Sequence, residues 1–251
     1  MSTDPGTNFV VLTTQRNGST WFMSLLTSLD SVSAHGELFL PRPRSPEKRW
    51  DSDFAYPRYI ESRARHGSLR PFSVFAYLTT LYNSPGSVGF KLMYSQLKQF
   101  PEIIVYLKHK RIPVVHLVRR NHLDVMISFQ LKRAVGRAHI LSPADRPTDM
   151  KIDIDTSTIL KDLQRLQFKH DVGRRLLRFS GLPYLEVAYE DLLTDGARLT
   201  NVLAFLNIEA PGQAPHSNIL KTRLADQREV IRNYDEVRRV LENSRFADLL
   251  D

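Results

Sequence analysis

Short runs of apolar residues alternate along this chain with longer segments in which apolar residues recur every three or four positions. A short continuous run is typical of a strand buried on both faces, and the longer period is typical of an amphipathic helix. Strand-like runs lie at residues 9–12, 88–93, 113–118 and 184–189. Residues 34–39 are expected to form a short turn or a further strand.

Helical periodicity follows each run. The first predicted helix carries one apolar face, formed by Trp21, Phe22, Leu25, Leu26 and Leu29. Further helices are predicted in two pieces over 53–82, over 95–109 with a break at Pro101, over 122–135, 156–179, 190–206 and 228–244. Strands that alternate with helices predict an α/β fold, a parallel β-sheet flanked by helices.

Three polar segments directly follow predicted strands, at residues 13–20, 119–128 and 189–191. Parallel strands place their carboxyl ends at one edge of the sheet, and ligands of open α/β folds bind at that edge. We therefore expect these three segments to carry the function.

The loop at residues 13–20 joins the first strand to the first helix. Backbone N–H groups at such a turn and the dipole of the following helix attract anions. Arg16 adds a charge with several donors, and Ser19 and Thr20 add hydroxyls. The segment predicts a cradle for a phosphate-like group, although an ordinary strand–helix turn is the alternative.

This loop differs from the triphosphate-binding pattern G-x-x-x-x-G-K-[ST]. It has a single glycine, Gly18, and no lysine precedes Ser19 and Thr20. Hydrolysis of ATP or GTP is therefore not indicated.

A second anion site is suggested by Arg120 and Ser128. Arg120 follows the third run, and Ser128 lies about two turns into a helix that Asn121 is expected to cap, with Asp124 three positions on. Taken alone, Arg120 reads as a surface charge and Ser128 as a solvated helix residue. Together with the Arg16 loop, they indicate a ligand with two anionic groups.

Composition narrows the function classes. The 251 residues are expected to form one domain over 1–251, and the absence of cysteine excludes disulfides and thiolate chemistry. The net charge of +8 favours polyanionic partners, but aromatic residues do not interleave with the basic ones as in RNA-binding motifs, so we expect no nucleic acid. No apolar run approaches the roughly 20 residues of a membrane span, and the polar N-terminus lacks a secretory core, so we expect a cytoplasmic protein.

The order of three motifs resembles that of the sulfotransferases that use 3′-phosphoadenosine 5′-phosphosulfate (PAPS), and the bacterial and carbohydrate-type enzymes most closely. TTQRNGSTWF resembles their 5′-phosphosulfate loop, HLVRRNHLDVMISF their 3′-phosphate motif with an Arg and a Ser eight positions later, and LEVAYEDLL a further common element. The resemblance spans positions 9 to 192. It implies a fold like that of the P-loop NTPases and transfer of a sulfuryl group from PAPS to a hydroxylated acceptor.

The resemblance also implies roles for individual residues. The cofactor-binding residues it implies are Arg16, Asn17, Gly18, Ser19, Thr20, Trp21, Arg120, Ser128 and Tyr189, with Tyr189 near the adenine. The basic residues Lys221 and Arg223 stand where the family often closes a loop over the 3′-phosphate, but the family's Arg-Lys-Gly pattern is absent, and a solvated charge cluster is the equal alternative.

The predicted general base is Glu37, in a His-Gly-Glu-Leu-Phe segment that resembles a turn of bacterial sulfotransferases. Pairing of Glu37 with a neighbouring Arg is the structural alternative, and His35 is the other candidate base. Arg16 and Lys91 would stabilise the transferred group, although Lys91 fits a surface position equally well. No histidine has a partner at metal-ligand spacing, so no metal is expected.

Two other functions stay open. A P-loop small-molecule kinase would use the same strand–loop–helix, and a non-catalytic nucleotide- or nucleic-acid-binding protein would not need Glu37. The acceptor would lie against the loops at 37–58 and 137–154, whose residue types do not identify it, and the oligomeric state is not indicated.

Overall fold

The computed structural model describes residues 6–41, 56–67, 69–135, 150–209, 215, 217 and 226–250. They divide into two compact units, one formed by residues 1–118 and 176–217 and the other by 119–175 and 218–251. No helix among the described residues is long and apolar enough to cross a bilayer. The expectation of one domain over 1–251 stays a prediction.

The first unit contains a five-stranded sheet in the order β2–β3–β1–β4–β5, in which every pairing is parallel. Its strands are β1 (Phe9–Thr13), β2 (Val32–Glu37), β3 (Ser87–Met93), β4 (Val114–Val118) and β5 (Tyr184–Ala188). The predicted parallel sheet flanked by helices is confirmed. The segment left open between turn and strand, 34–39, is a strand at the sheet edge for most of its length.

Helices cover both faces of the sheet. They are α1 (Ser19–Thr27), α2 (Tyr59–Ser62), α3 (Phe72–Tyr82), α4 (Tyr94–Gln99), α5 (Glu102–His109), the end of α7 (Ile159–Ser180), α8 (Tyr189–Thr194) and α9 (Gly196–Phe205). Residues of α1 and α9 pack with Val11 and Val115 on one face, while residues of α3 and α5 pack with Val10 and Val114 on the other. Alternate residues of the buried strands therefore serve two separate cores.

One surface ion pair joins the start of α3 to α5. Arg70 donates to Glu102 through Nη2 at 2.7 Å and through Nε at 2.5 Å. Burial raises the pKa of Glu102, but the hydrogen bonds and charge of Arg70 oppose it and leave that pKa below its ordinary value.

The second unit is helical. It contains α6 (His122–Val135), most of α7, α10 (Gln227–Val230) and α11 (Tyr234–Glu242), whose apolar residues form a third core. Ile152 and Ile231 form an isolated parallel bridge within it.

One helix prediction is wrong, and one predicted helical region is divided in two. The helical region predicted over 190–206 consists of two helices, because Asp195 ends α8 and its carboxylate accepts a hydrogen bond from Ala197 N–H at the start of α9. The helix predicted over 228–244 is interrupted at 231–233, because Ile231 pairs with Ile152 and Asn233 hydrogen-bonds the backbone of Ile154.

Candidate active site

The loop after β1 is held against β4 by two side chains. Thr13 Oγ1 donates to the Leu117 carbonyl at 2.8 Å, and the buried Asn17 donates to the same carbonyl through Nδ2 at 3.3 Å. From β1 the chain turns toward β2 and β3, whereas from β4 it continues to β5 on the other side. The loop therefore lies where the strand order reverses, which is the usual ligand position in an open parallel sheet.

The loop backbone is shaped to present N–H groups. Arg16 and Gly18 have left-handed backbones, with φ of 65° and 75°, and α1 begins directly after Gly18. The N-cap residue of α1 is Gly18, which has no side chain to cap the first turn of the helix. Because the first N–H groups of a helix attract anions, this turn is a candidate anion site, and the left-handed Arg16 is a strained position of the kind found at functional sites.

Tyr189 closes one side of this loop. A Cβ built on Gly18 would lie 2.2 Å from two carbon atoms of the Tyr189 ring, so only glycine allows the ring to pack there. Trp21 contacts the same ring edge-on, with 5.6 Å between centroids. The structure therefore brings Tyr189 of one predicted motif against Gly18 and Trp21 of another, although Tyr189 begins α8 rather than ending β5.

A carboxylate, an ammonium and a loop hydroxyl meet beside the start of α1. Lys91 Nζ lies 3.1 Å from Glu37 Oε1 and 3.3 Å from Thr20 Oγ1. Lys91 is only 3% exposed, so the surface alternative for this residue is wrong. Glu37 pairs with a cation, as its structural alternative expected, but the cation is Lys91 of the neighbouring strand rather than an arginine.

An irregularity in β2 separates the two candidate bases. His35 lies opposite Phe90 and Glu37 lies opposite Lys91, with a register shift between them. Since Phe90 and Lys91 are consecutive on β3, they point to opposite faces of the sheet. His35 contacts the Tyr56 ring at 5.0 Å on the other face, so the structure places Glu37, and not His35, beside Lys91 and α1.

Gln96 contacts Glu37 and was not predicted from the sequence. Its Nε2 donates to Glu37 Oε2 at 2.9 Å, while its Oε1 accepts from the Met93 N–H at 3.2 Å. The two hydrogen bonds define the orientation of the buried Gln96 amide. They also hold the Glu37 carboxylate through Oε2, whereas Lys91 contacts Oε1. A lone glutamine in a helix carries no sequence signal of this kind.

A buried histidine lies behind the first turn of α4. His116 is 0% exposed, and its Nδ1 is 3.0 Å from Glu186 Oε2 on β5. Its Nε2 is hydrogen-bonded to the Tyr94 hydroxyl, at the start of α4. These two hydrogen bonds hold the first turn of α4, which also carries Gln96. They form because the register of β4 and β5 places His116 opposite Glu186.

In the second unit, the segment after β4 has the predicted helix cap. Asn121 Oδ1 accepts from Asp124 N–H at 3.0 Å, and Arg119 donates to Asp124 Oδ2 at 2.7 Å. Arg120 is exposed and Ser128 is half-buried on α6. Their role at a 3′-phosphate stays a prediction.

Several expectations lie wholly or partly outside the described residues. Lys221 and Arg223 do, and so do most of the loops at 37–58 and 137–154. Among the described residues, no group of three or more His, Asp or Glu side chains is arranged to hold a metal ion.

No protein-family model matches the chain, and no curated protein matches its sequence. The solved structures that are similar to it include two sulfotransferases. Mouse sulfotransferase SULT7A1 complexed with PAP has 14% identity and a TM-score of 0.45, and the match covers 82% of this chain and 60% of the mouse chain. The sulfotransferase domain of the Synechococcus PCC 7002 olefin synthase has 15% identity and a TM-score of 0.41, covering 98% of this chain and 81% of that one. Both similarities are distant.

Proposed function

We propose that this chain is a sulfotransferase that moves the sulfuryl group of PAPS to a hydroxyl of a small-molecule, sugar or glycolipid acceptor. The observation that supports this most directly is the contact of Lys91 with both Thr20 and Glu37. Transfer of an anionic group to an alcohol needs a cation for the charge and a base for the proton, and this contact joins both to the anion-binding loop.

The loop supplies the donors for the 5′-phosphosulfate. The N–H groups of the first turn of α1, the hydroxyls of Ser19 and Thr20, and the Arg16 guanidinium form a donor set suited to phosphate and sulfate oxygens. Asn17 anchors the loop to β4 rather than facing outward.

In the proposed step, the Glu37 carboxylate accepts the proton of the acceptor hydroxyl while its oxygen attacks sulfur. The new O–S bond forms as the bond from sulfur to the bridging oxygen breaks, and the electron pair leaves with the nucleotide phosphate. Lys91 and the loop donors stabilise this developing charge. Gln96 holds the carboxylate in place through the oxygen that Lys91 does not contact.

The remaining assignments rest on the motif resemblance. Arg120 and Ser128 would bind the 3′-phosphate, Tyr189 would contact the adenine, and Lys221 and Arg223 would cover the nucleotide.

Binding is tested by calorimetry with 3′-phosphoadenosine 5′-phosphate in the absence of magnesium. Arg16→Ala is expected to weaken binding by about tenfold or more, since a charge-assisted hydrogen bond is lost. Arg111→Ala is the matched control, because Arg111 also has a left-handed backbone, with φ of 53°, but precedes β4 at the amino edge of the sheet. Arg120→Ala should weaken binding as well. Binding of ATP with magnesium, and not of this nucleotide, would favour the kinase alternative.

Catalysis is tested with labelled PAPS and a panel of hydroxylated acceptors. Glu37→Gln keeps the size of the side chain but cannot take a proton, so it should bind the nucleotide normally and lose transfer by about a hundredfold or more. Full transfer activity in this variant would contradict the assignment of the base. Absence of transfer in the unmodified protein despite tight nucleotide binding would favour the non-catalytic alternative.

A further inference from the structure

Helix α7 exposes apolar side chains on the side opposite its buried face. The buried row follows helical spacing and consists of Ile159, Leu163, His170, Gly173 and Leu177. On the opposite side, Phe168 is 63% exposed and Phe179 is 83% exposed, and Val172 and Leu176 are exposed between them. These four are half of the large hydrophobic residues that are exposed in the described part of the chain.

Basic residues surround this apolar row. Helix α7 contains six lysine and arginine residues and two aspartates, so it carries a net charge of +4. The exposed cations interspersed with or flanking the apolar row are Lys161, Arg165, Lys169, Arg175 and Arg178. The two acidic residues, Asp162 and Asp171, are only partly exposed and lie beside arginines one turn away. The outward face is therefore both apolar and cationic.

We propose that this outward face of α7 binds an anionic lipid surface. A helix that lies on a bilayer buries apolar side chains at the boundary of headgroups and acyl chains, while cations beside them attract anionic headgroups. A face of this composition satisfies both requirements along one helix of 22 residues. The proposal is independent of the sulfotransferase function.

Charge argues against the other occupants. A second copy of the same face would bring two cationic helices together, which is unfavourable. A soluble polyanion would pair with the cations but would leave Phe168 and Phe179 in water. A lipid surface uses the cations and the exposed apolar side chains at once, through its anionic headgroups and its acyl chains.

The test measures co-sedimentation of the full chain with vesicles. Vesicles of phosphatidylcholine with about one third phosphatidylglycerol should bind the protein, and binding should fall with added salt, whereas pure phosphatidylcholine should bind much more weakly. The double variant Phe168→Ser/Phe179→Ser should weaken binding by about tenfold or more. Phe72→Ser is the matched control, since Phe72 is 71% exposed on α3, and it should leave binding unchanged.

The charge is tested separately with Arg165→Gln and Lys169→Gln, each of which should weaken binding by about fivefold. Circular dichroism of every variant shows whether it is folded. Absence of binding to the anionic vesicles, or binding that the α7 variants leave unchanged, overturns the proposal. Heparin that binds as strongly as the anionic vesicles, with an affinity that the phenylalanine substitutions leave unchanged, also overturns the proposal, because it would indicate a soluble polyanion. A concentration-dependent dimer that dissociates in Phe168→Ser overturns it as well.

Discussion

Replacing Gly18 by alanine tests how the loop after β1 and the Tyr189 ring pack together. The new methyl group meets two obstacles. It would stand on a backbone with φ of 75°, and it would lie 2.2 Å from the Tyr189 ring. Gly67 offers a control that meets only the first, because its φ is 90° and no described atom lies within 4 Å of its Cβ position.

The two substitutions should differ in magnitude. A left-handed alanine costs about 1–2 kcal/mol, and the smaller entropy of the unfolded chain returns about 0.4–1 kcal/mol, so Gly67→Ala should destabilise by about 1 kcal/mol. Gly18→Ala adds an overpacking cost of about 1–3 kcal/mol, because the ring or the loop must move. We expect a total of about 2–4 kcal/mol.

Urea unfolding followed by circular dichroism measures both free energies, and calorimetry with 3′-phosphoadenosine 5′-phosphate measures binding. Gly18→Ala should also weaken nucleotide binding, whereas Gly67→Ala should not. In a double-mutant cycle, Gly18→Ala combined with Tyr189→Ala should destabilise less than the sum of the two, because the clash is gone. Two results together would refute the close packing of the Tyr189 ring on the loop. Gly18→Ala and Gly67→Ala would lose the same free energy of unfolding, and the losses of Gly18→Ala and Tyr189→Ala would add up in the double variant.

Three further predictions concern the same unit. Lys91→Met should lower the free energy of unfolding in urea by about 3 kcal/mol, because it leaves the Glu37 carboxylate without its cation. Adding Glu37→Gln should recover part of this loss, and a double variant whose loss equals the sum of the two single losses would contradict the pairing. Tyr94→Phe should cost about 1–2 kcal/mol in the same assay by removing a partner of buried His116, and an unchanged midpoint would show that the bond contributes nothing. The lowered pKa of Glu102 means that its stabilising contribution is present above the pKa of an unfolded glutamate, about 4.3, and is lost as the pH falls through the folded pKa. The stability of Glu102→Gln should therefore change less than that of the parent chain across this acidic range, and identical pH profiles would refute the linkage.

Local patterns were sufficient for the elements whose signals lie within a few neighbouring residues. The strands β1, β3 and β4 agree with the predicted runs within one or two residues, because each is a continuous apolar segment between turns. The cap at Asn121 was also predicted correctly, since its partner is three positions away.

Predictions failed where a distant partner overrides local periodicity. The pattern over 228–244 continues through Ile231, but a bridge to Ile152 makes that residue extended. The same limit applies to His116, which reads as one polar residue in an apolar run until the strand register places Glu186 beside it.

The sequence by itself determined that a parallel sheet carries a loop with Arg16 and Gly18 at its carboxyl edge, because the strand runs and the loop residues are local features. Only the tertiary structure decided which groups meet there. The register shift in β2 turns Glu37 toward Lys91 and leaves His35 on the other face, and the first turn of α4 brings Gln96 to the same carboxylate. These contacts depend on residues about 50 to 70 positions apart being placed side by side, which hydrogen bonding between parallel strands achieves and local sequence cannot express.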